Sequence, residues 1–179
     1  MAAGCQGGHP VAHPTSLPAA QLRGLEPLTP VESVVALCDP PLNWKPDPLE
    51  KDSRHTHQVW ISPSGKTAYG VIHFGLPLPV GQNIVLWQFV REMRNTTGKA
   101  DLLEKQNDPG LPGIRFVVEN DTYLMRVNLI VEGFDGWAIY AGTMVTKPVA
   151  DDELGLAQRA RDNTVVGLPQ SPPANHLKE

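Results

Sequence analysis

Three histidines, His55, His57 and His73, sit in two segments that read as the arms of a hairpin. Residues 56–62 and 66–74 carry strand-forming side chains, and Pro63-Ser64-Gly65 between them has turn composition. With that turn Ser62 faces Lys66, and the register brings His55 opposite His73. His57 stands two residues along and projects from the same face. Three convergent imidazoles suit Zn or Cu, the chemistry of a metal carrier or a metal-dependent enzyme. The competing reading is three partly exposed structural histidines, because Val59, Ile61, Tyr69 and Val71 share that face.

A second constellation is basic. If Asn120-Asp121 forms a tight turn, Glu119 faces Thr122 and Arg115 faces Arg126. Like charges placed opposite each other destabilise a strand pair unless something neutralises them. Asn128 falls on the same face, as does Thr143 from the next strand. The set Arg115, Arg126, Asn128 and Thr143 suits an anion or an acidic ligand. The competing reading is a solvated face, or neutralisation by Glu119, Glu132 or a carboxylate from a helix.

Nucleophilic catalysis finds no support. Ser62 and Ser64 lie in a turn without a nucleophile elbow. The chain has no phosphate-cradling Gly-Lys loop, no His-Glu-x-x-His and no paired-cysteine metal motif. Cys38 ends an apolar segment and reads as a small buried hydrophobe rather than an activated thiol. Trp44, Trp60, Trp87 and Trp137 read as core or rim anchors. Asn95-Thr96-Thr97 and Asn120-Asp121-Thr122 match the short glycosylation sequon, a weak signal. The expectation is a binding domain without a cofactor, acting on a protein or small-molecule partner. The formal net charge of -4 disfavours nucleic acid.

The elements that position these residues follow from periodicity. Thr29-Pro30-Val31-Glu32 has the form of a capping box. It predicts a short first helix with Val31, Val34, Val35 and Cys38 on its apolar stripe, stopped by Asp39-Pro40-Pro41. The two histidine-bearing strands follow. Residues 81–97 read as the strongest helix, with Ile84, Leu86, Trp87, Val90 and Met93 inward and Gly98 just past its end. Residues 102–105 suit a short strand. Ile114, Phe116 and Val118 alternate, as do Tyr123, Met125, Val127, Leu129 and Val131. Gly133-Phe134-Asp135-Gly136 turns the chain into a return strand over 137–145. Asp151, Asp152 and Glu153 open a last helix, with Leu154, Ala157, Ala160 and Thr164 inward. Leu124, Ile130, Trp137 and Ile139 lie opposite the main apolar stripe, so both sheet faces must be covered.

The predicted fold class is therefore α+β, a mainly antiparallel sheet between helices. Its 179 residues suit one domain over 29–166. Residues 1–28, rich in Pro and Gly, read as a flexible tether, and 167–179 as a flexible tail. Ala3-Gly4-Cys5 matches the end of a bacterial lipoprotein signal, which makes Cys5 the candidate lipidation site. The address implied is the cell envelope or periplasm, with the membrane reached only through that lipid. A cytoplasmic interaction module is the alternative.

The element order, together with Pro41-Leu42-Asn43-Trp44, resembles the PsbP/Mog1-like superfamily over residues 29–166. Many such domains open with Pro-x-x-Trp before the first strand pair. The resemblance implies an antiparallel sheet between helical layers, and in bacteria an exported or lipid-anchored protein. It implies no particular activity, since the superfamily hosts unrelated roles.

Overall fold

Alternation along the long central strands decides which way each functional side chain faces. The computed structural model describes residues 24–51, 54–107, 113–145 and 151–167. In chain order the elements are β1 (Thr29–Val31), a 3-10 turn (Glu32–Val34), β2 (Ala36–Cys38), β3 (Lys45–Pro46) and β4 (Glu50–Lys51). Then come β5 (His55–Ile61), β6 (Thr67–Gly75), α1 (Gln82–Thr97), β7 (Asp101–Gln106) and β8 (Ile114–Glu119). β9 (Tyr123–Glu132), β10 (Asp135–Met144), α2 (Asp151–Asn163) and β11 (Val165–Val166) complete them.

Eight strands form one antiparallel sheet in the order β3-β5-β6-β10-β9-β8-β7, with β4 also paired to β5. A smaller sheet joins β1, β2 and β11. On the central strand β10, Trp137, Ile139 and Ala141 point to one face and Ala138 and Tyr140 to the other. The first set packs with Tyr69, Val71, Val34, Cys38, Ala157 and Ala160 beneath α2 and the small sheet. The second packs with Phe116, Val118, Val127, Leu129, Val85, Leu86 and Val90 beneath α1. Each helix thus covers one face of the sheet, as expected of an α+β fold whose strands are apolar on both sides.

Local residues shape both helices. Gly98 takes a left-handed φ of 80° and its N–H donates to the Arg94 carbonyl, closing α1. Ala157 and Ala160 are fully buried and small enough to let α2 lie close on the sheet. The acidic first turn of α2 faces the positive end of its dipole.

The first predicted helix is a hairpin instead. Thr29–Val31 and Ala36–Cys38 pair as strands around the 3-10 turn. The β-branched residues favour extended backbone, and the segment before Pro40 is too short to gain much from a helix. Val35 carries the turn in the left-handed region, φ 51°, a costly conformation for a β-branched residue. Its carbonyl accepts from Gly167 N–H, and Val34 beside it is fully buried. Tertiary contacts hold the turn where local preference would not.

Two packing details also differ from the periodicity reading. Leu25 is buried in the core and bridges to Pro41, while Glu26 N–H donates to the Pro40 carbonyl. Leu25 thus anchors to the core from within the segment read as tether, while Glu26, Pro27 and Leu28 stay exposed. On α1 the inward stripe is Val85, Leu86, Phe89, Val90 and Met93, and the predicted Ile84 and Trp87 point to solvent. Cys5 and the tail beyond Gly167 lie outside the described residues. Among those described, no helix is long and apolar enough to cross a membrane.

Candidate functional site

The loop between β5 and β6 is one residue longer than its sequence suggests. Ser62 N–H donates to the Thr67 carbonyl, leaving Pro63–Lys66 as the connection. His55 then pairs with Phe74, and Thr56 with His73. A one-residue slip turns a side chain to the other face. His55 and His57 therefore share a face with Tyr140, while His73 lies with Trp137. His73 stacks on Trp137, ring centroids 5.1 Å apart, and its Nε2 is 3.0 Å from Asp135 Oδ1. The predicted three-histidine metal set does not assemble. Among the described residues no group of three His, Cys, Asp or Glu side chains is placed to hold a metal.

His57 instead belongs to a groove. α1 covers the β8 and β9 side of its face, but among the described residues no helix packs on the β5, β6 and β10 side. Small residues there leave a depression: Ala68 on β6 and Gly142 on β10. The resulting cavity is about 360 Å³, with Val59, Ile72, Met125 and Met144 among its walls and Lys66 at its rim. That size and apolar lining fall within the range of small-molecule sites.

Its polar centre is a chain of three groups. His57 Nε2 lies 2.7 Å from the Tyr140 hydroxyl, and His57 Nδ1 lies 3.4 Å from Glu50 Oε2. An ionised carboxylate only accepts, which places the imidazole proton on Nδ1. Nε2 then accepts from Tyr140 O–H. The phenolic oxygen keeps its lone pairs for a ligand. Gly70 makes the arrangement possible, because a β-carbon there would collide with the Tyr140 ring.

Electrostatics keep the pair neutral. Burial lowers the His57 pKa despite the nearby Glu50. Burial also raises that of Tyr140, with Glu50 adding in the same direction. A neutral imidazole and a firmly held phenolic proton suit hydrogen bonding more than proton transfer at neutral pH. Sequence reasoning found His57 but missed Tyr140 and Glu50. The signal available was Gly70 inside a strand, since an interior glycine marks a close approach.

The basic set lies on the opposite face. Asp121 and Thr122 form the tip of its hairpin, and Asn120 N–H donates to the Tyr123 carbonyl. Asn120 is buried, and its Oδ1 accepts from the N–H groups of Thr122 and Tyr123. Arg115 therefore pairs with Asn128, and Arg126 with Val117, in place of the expected Arg115–Arg126 pair. That slip is even, so Arg115, Arg126 and Asn128 still share a face. Arg161 and Asp162 from α2 join them: Asp162 Oδ1 is 2.9 Å from Arg161 Nε and 3.3 Å from Asn128 Nδ2. Thr143 is buried opposite Leu124 and Thr67.

The serines and Cys38 have structural partners. Ser64 bonds Glu153 and Ser62. Burial pushes the Cys38 thiol up to about 11, which leaves it protonated and inert at neutral pH. The chain matches no known family model and no curated protein.

Proposed function

We propose that this chain is a non-enzymatic binding domain whose groove takes a small, largely apolar molecule bearing one hydrogen-bond donor. The observation that carries this reading is the Tyr140 hydroxyl, committed as a donor to His57 and lining a cavity of apolar walls. A ligand N–H or O–H would find an acceptor there. Its apolar body would remove Val59, Ile72 and Met125 from water, at roughly 25 cal/mol per Å² buried.

Indole and benzothiophene provide the test. They are close in shape, but only indole carries an N–H. Titration of each, followed by amide NMR, is expected to shift Ala68, Ile72 and Gly142, with indole binding more tightly. Tyr140→Phe is expected to erase the difference while leaving benzothiophene unaffected. Shifts confined to other parts of the chain would sink the reading.

Two further parts of the reading are proposals of the same standing. Ala3-Gly4-Cys5 supports a lipid on Cys5 and an envelope address; mass spectrometry of native protein showing an unmodified Cys5 would reject the anchor. Kinship with PsbP/Mog1-like domains is supported by the antiparallel sheet with a helix on each face. The element order behind that resemblance begins with a helix over residues 29–38, and the hairpin found there counts against it.

A further inference from the structure

Three guanidinium groups meet where the C-terminal end of α2 crosses β8 and β9. Arg161 Nε and Nη2 each lie 2.9 Å from Asp162 Oδ1, and Arg115 Nη2 lies 4.0 Å from the same oxygen. Asn128 Nδ2 donates to it as well, at 3.3 Å. One carboxylate oxygen thus serves two cations and an amide. Burial lowers the Arg161 pKa, Asp162 opposes this, and the charges of Arg115 and Arg126 lower it further. The three arginines are therefore close enough to repel one another.

Arg126 differs from the other two. Its Nη1 is buried and has no hydrogen-bond partner among the described residues. Asn128 Oδ1, two residues along the same strand face, is also buried and unbonded. Rotating the Asn128 amide does not cure this, because it would turn an oxygen toward Asp162. The place therefore calls for an acceptor at Arg126 and a donor at Asn128. A water molecule supplies both bonds but no charge. An oxyanion supplies charge-assisted bonds, which are about twice as strong as neutral ones, and it relieves the repulsion among the arginines.

We infer that this cluster binds a hydroxyl-bearing oxyanion, hydrogen phosphate in the simplest case. Phosphate oxygens accept from Arg126 and its neighbouring guanidiniums, and the phosphate hydroxyl donates to Asn128 Oδ1. The site lies across the sheet from the groove and stands independently of the function proposed for it.

The test is calorimetric titration with inorganic phosphate and with sulfate, at matched ionic strength and pH 6.5, where phosphate carries a proton and sulfate does not. Saturable phosphate binding is expected, with sulfate weaker by roughly tenfold for the missing hydrogen bond. Arg126→Gln is expected to abolish binding. Asn128→Asp places a carboxylate beside Arg126 and should also abolish it in a chain that stays folded by circular dichroism, which covers the case in which Arg126→Gln unfolds. Absence of saturable phosphate binding to the unaltered protein would mean that water fills the place and would overturn the inference. So would binding that survives Asn128→Asp. Equal affinity for sulfate would overturn the assignment of a protonated ligand.

Discussion

The two faces of the sheet solve the problem of buried polar groups in opposite ways. On the α2 face the helix and small sheet close over the strands, and polar side chains are shut in with whatever partners the chain provides. Asp39 Oδ1, Thr67 Oγ1, Arg126 Nη1 and Asn128 Oδ1 are buried there without a hydrogen bond among the described residues. On the α1 face the helix covers only part of the sheet, and the polar pair His57–Tyr140 is bonded internally and borders a cavity. Close coverage supplies stability and leaves unmet polar demands. Partial coverage gives up buried area and leaves a site. The difference comes from what each helix presents: α2 sets Ala157 and Ala160 against the centre of the sheet, whereas α1 sits over β8 and β9.

The largest effect expected from this contrast is on stability. Trp137 is buried under α2, stacks on His73 and donates its indole N–H to the Val34 carbonyl at 3.0 Å. Trp137→Ala should cost about 3–5 kcal/mol in denaturant unfolding, because it empties the core and frees the hairpin at residues 29–38. Tyr140→Phe on the open face removes one hydroxyl and should cost only about 1 kcal/mol. Equal costs for the two variants would break the comparison.

A smaller effect tests the unmet demand on the closed face. Burial raises the Asp39 pKa from 3.8 to about 6, although Asn163 Nδ2 donates to its Oδ2 at 2.8 Å. The folded state therefore holds this proton more tightly than the unfolded chain does. The contribution to stability is fully present below pH 3.8 and is lost as pH rises through about 6. Unfolding measured from pH 4 to 7.5 should show a loss of about 1–2 kcal/mol from this group. Asp39→Asn should remove that slope and make the protein more stable than the unaltered chain at pH 7.5. An unchanged slope in Asp39→Asn would show that the closed face tolerates the charge.

The two hairpins show how far sequence reasoning reaches. Both turns were legible from Pro63-Ser64-Gly65 and Asn120-Asp121, and both registers differ from the simplest reading. At Asn120 the reach of its side chain to the next N–H groups moves the tip by one residue and the register by two. Facing is preserved, so Arg115, Arg126 and Asn128 stay together. At Ser62 the loop gains one residue and the register moves by one. Facing is reversed on one strand relative to the other, so His73 parts from His55 and His57. Strand alternation was readable in both cases; the parity of the slip was not, because it depends on which backbone groups close the loop. Tyr140, Glu50 and Arg161 are distant in sequence from the residues they meet, and nothing local signals those meetings.

Local chemistry was enough to determine an α+β chain with a mainly antiparallel sheet apolar on both faces, a helix stopped at Gly98 and a second helix opened by Asp151, Asp152 and Glu153. Each of these follows from periodicity, glycine geometry or the helix dipole. Tertiary structure alone decided that residues 29–38 form a hairpin, that Ile84 and Trp87 face outward, and that His57 meets Tyr140 across the gap left by Gly70. Those outcomes depend on which surfaces are left to cover once the sheet has formed, a quantity that no segment carries by itself.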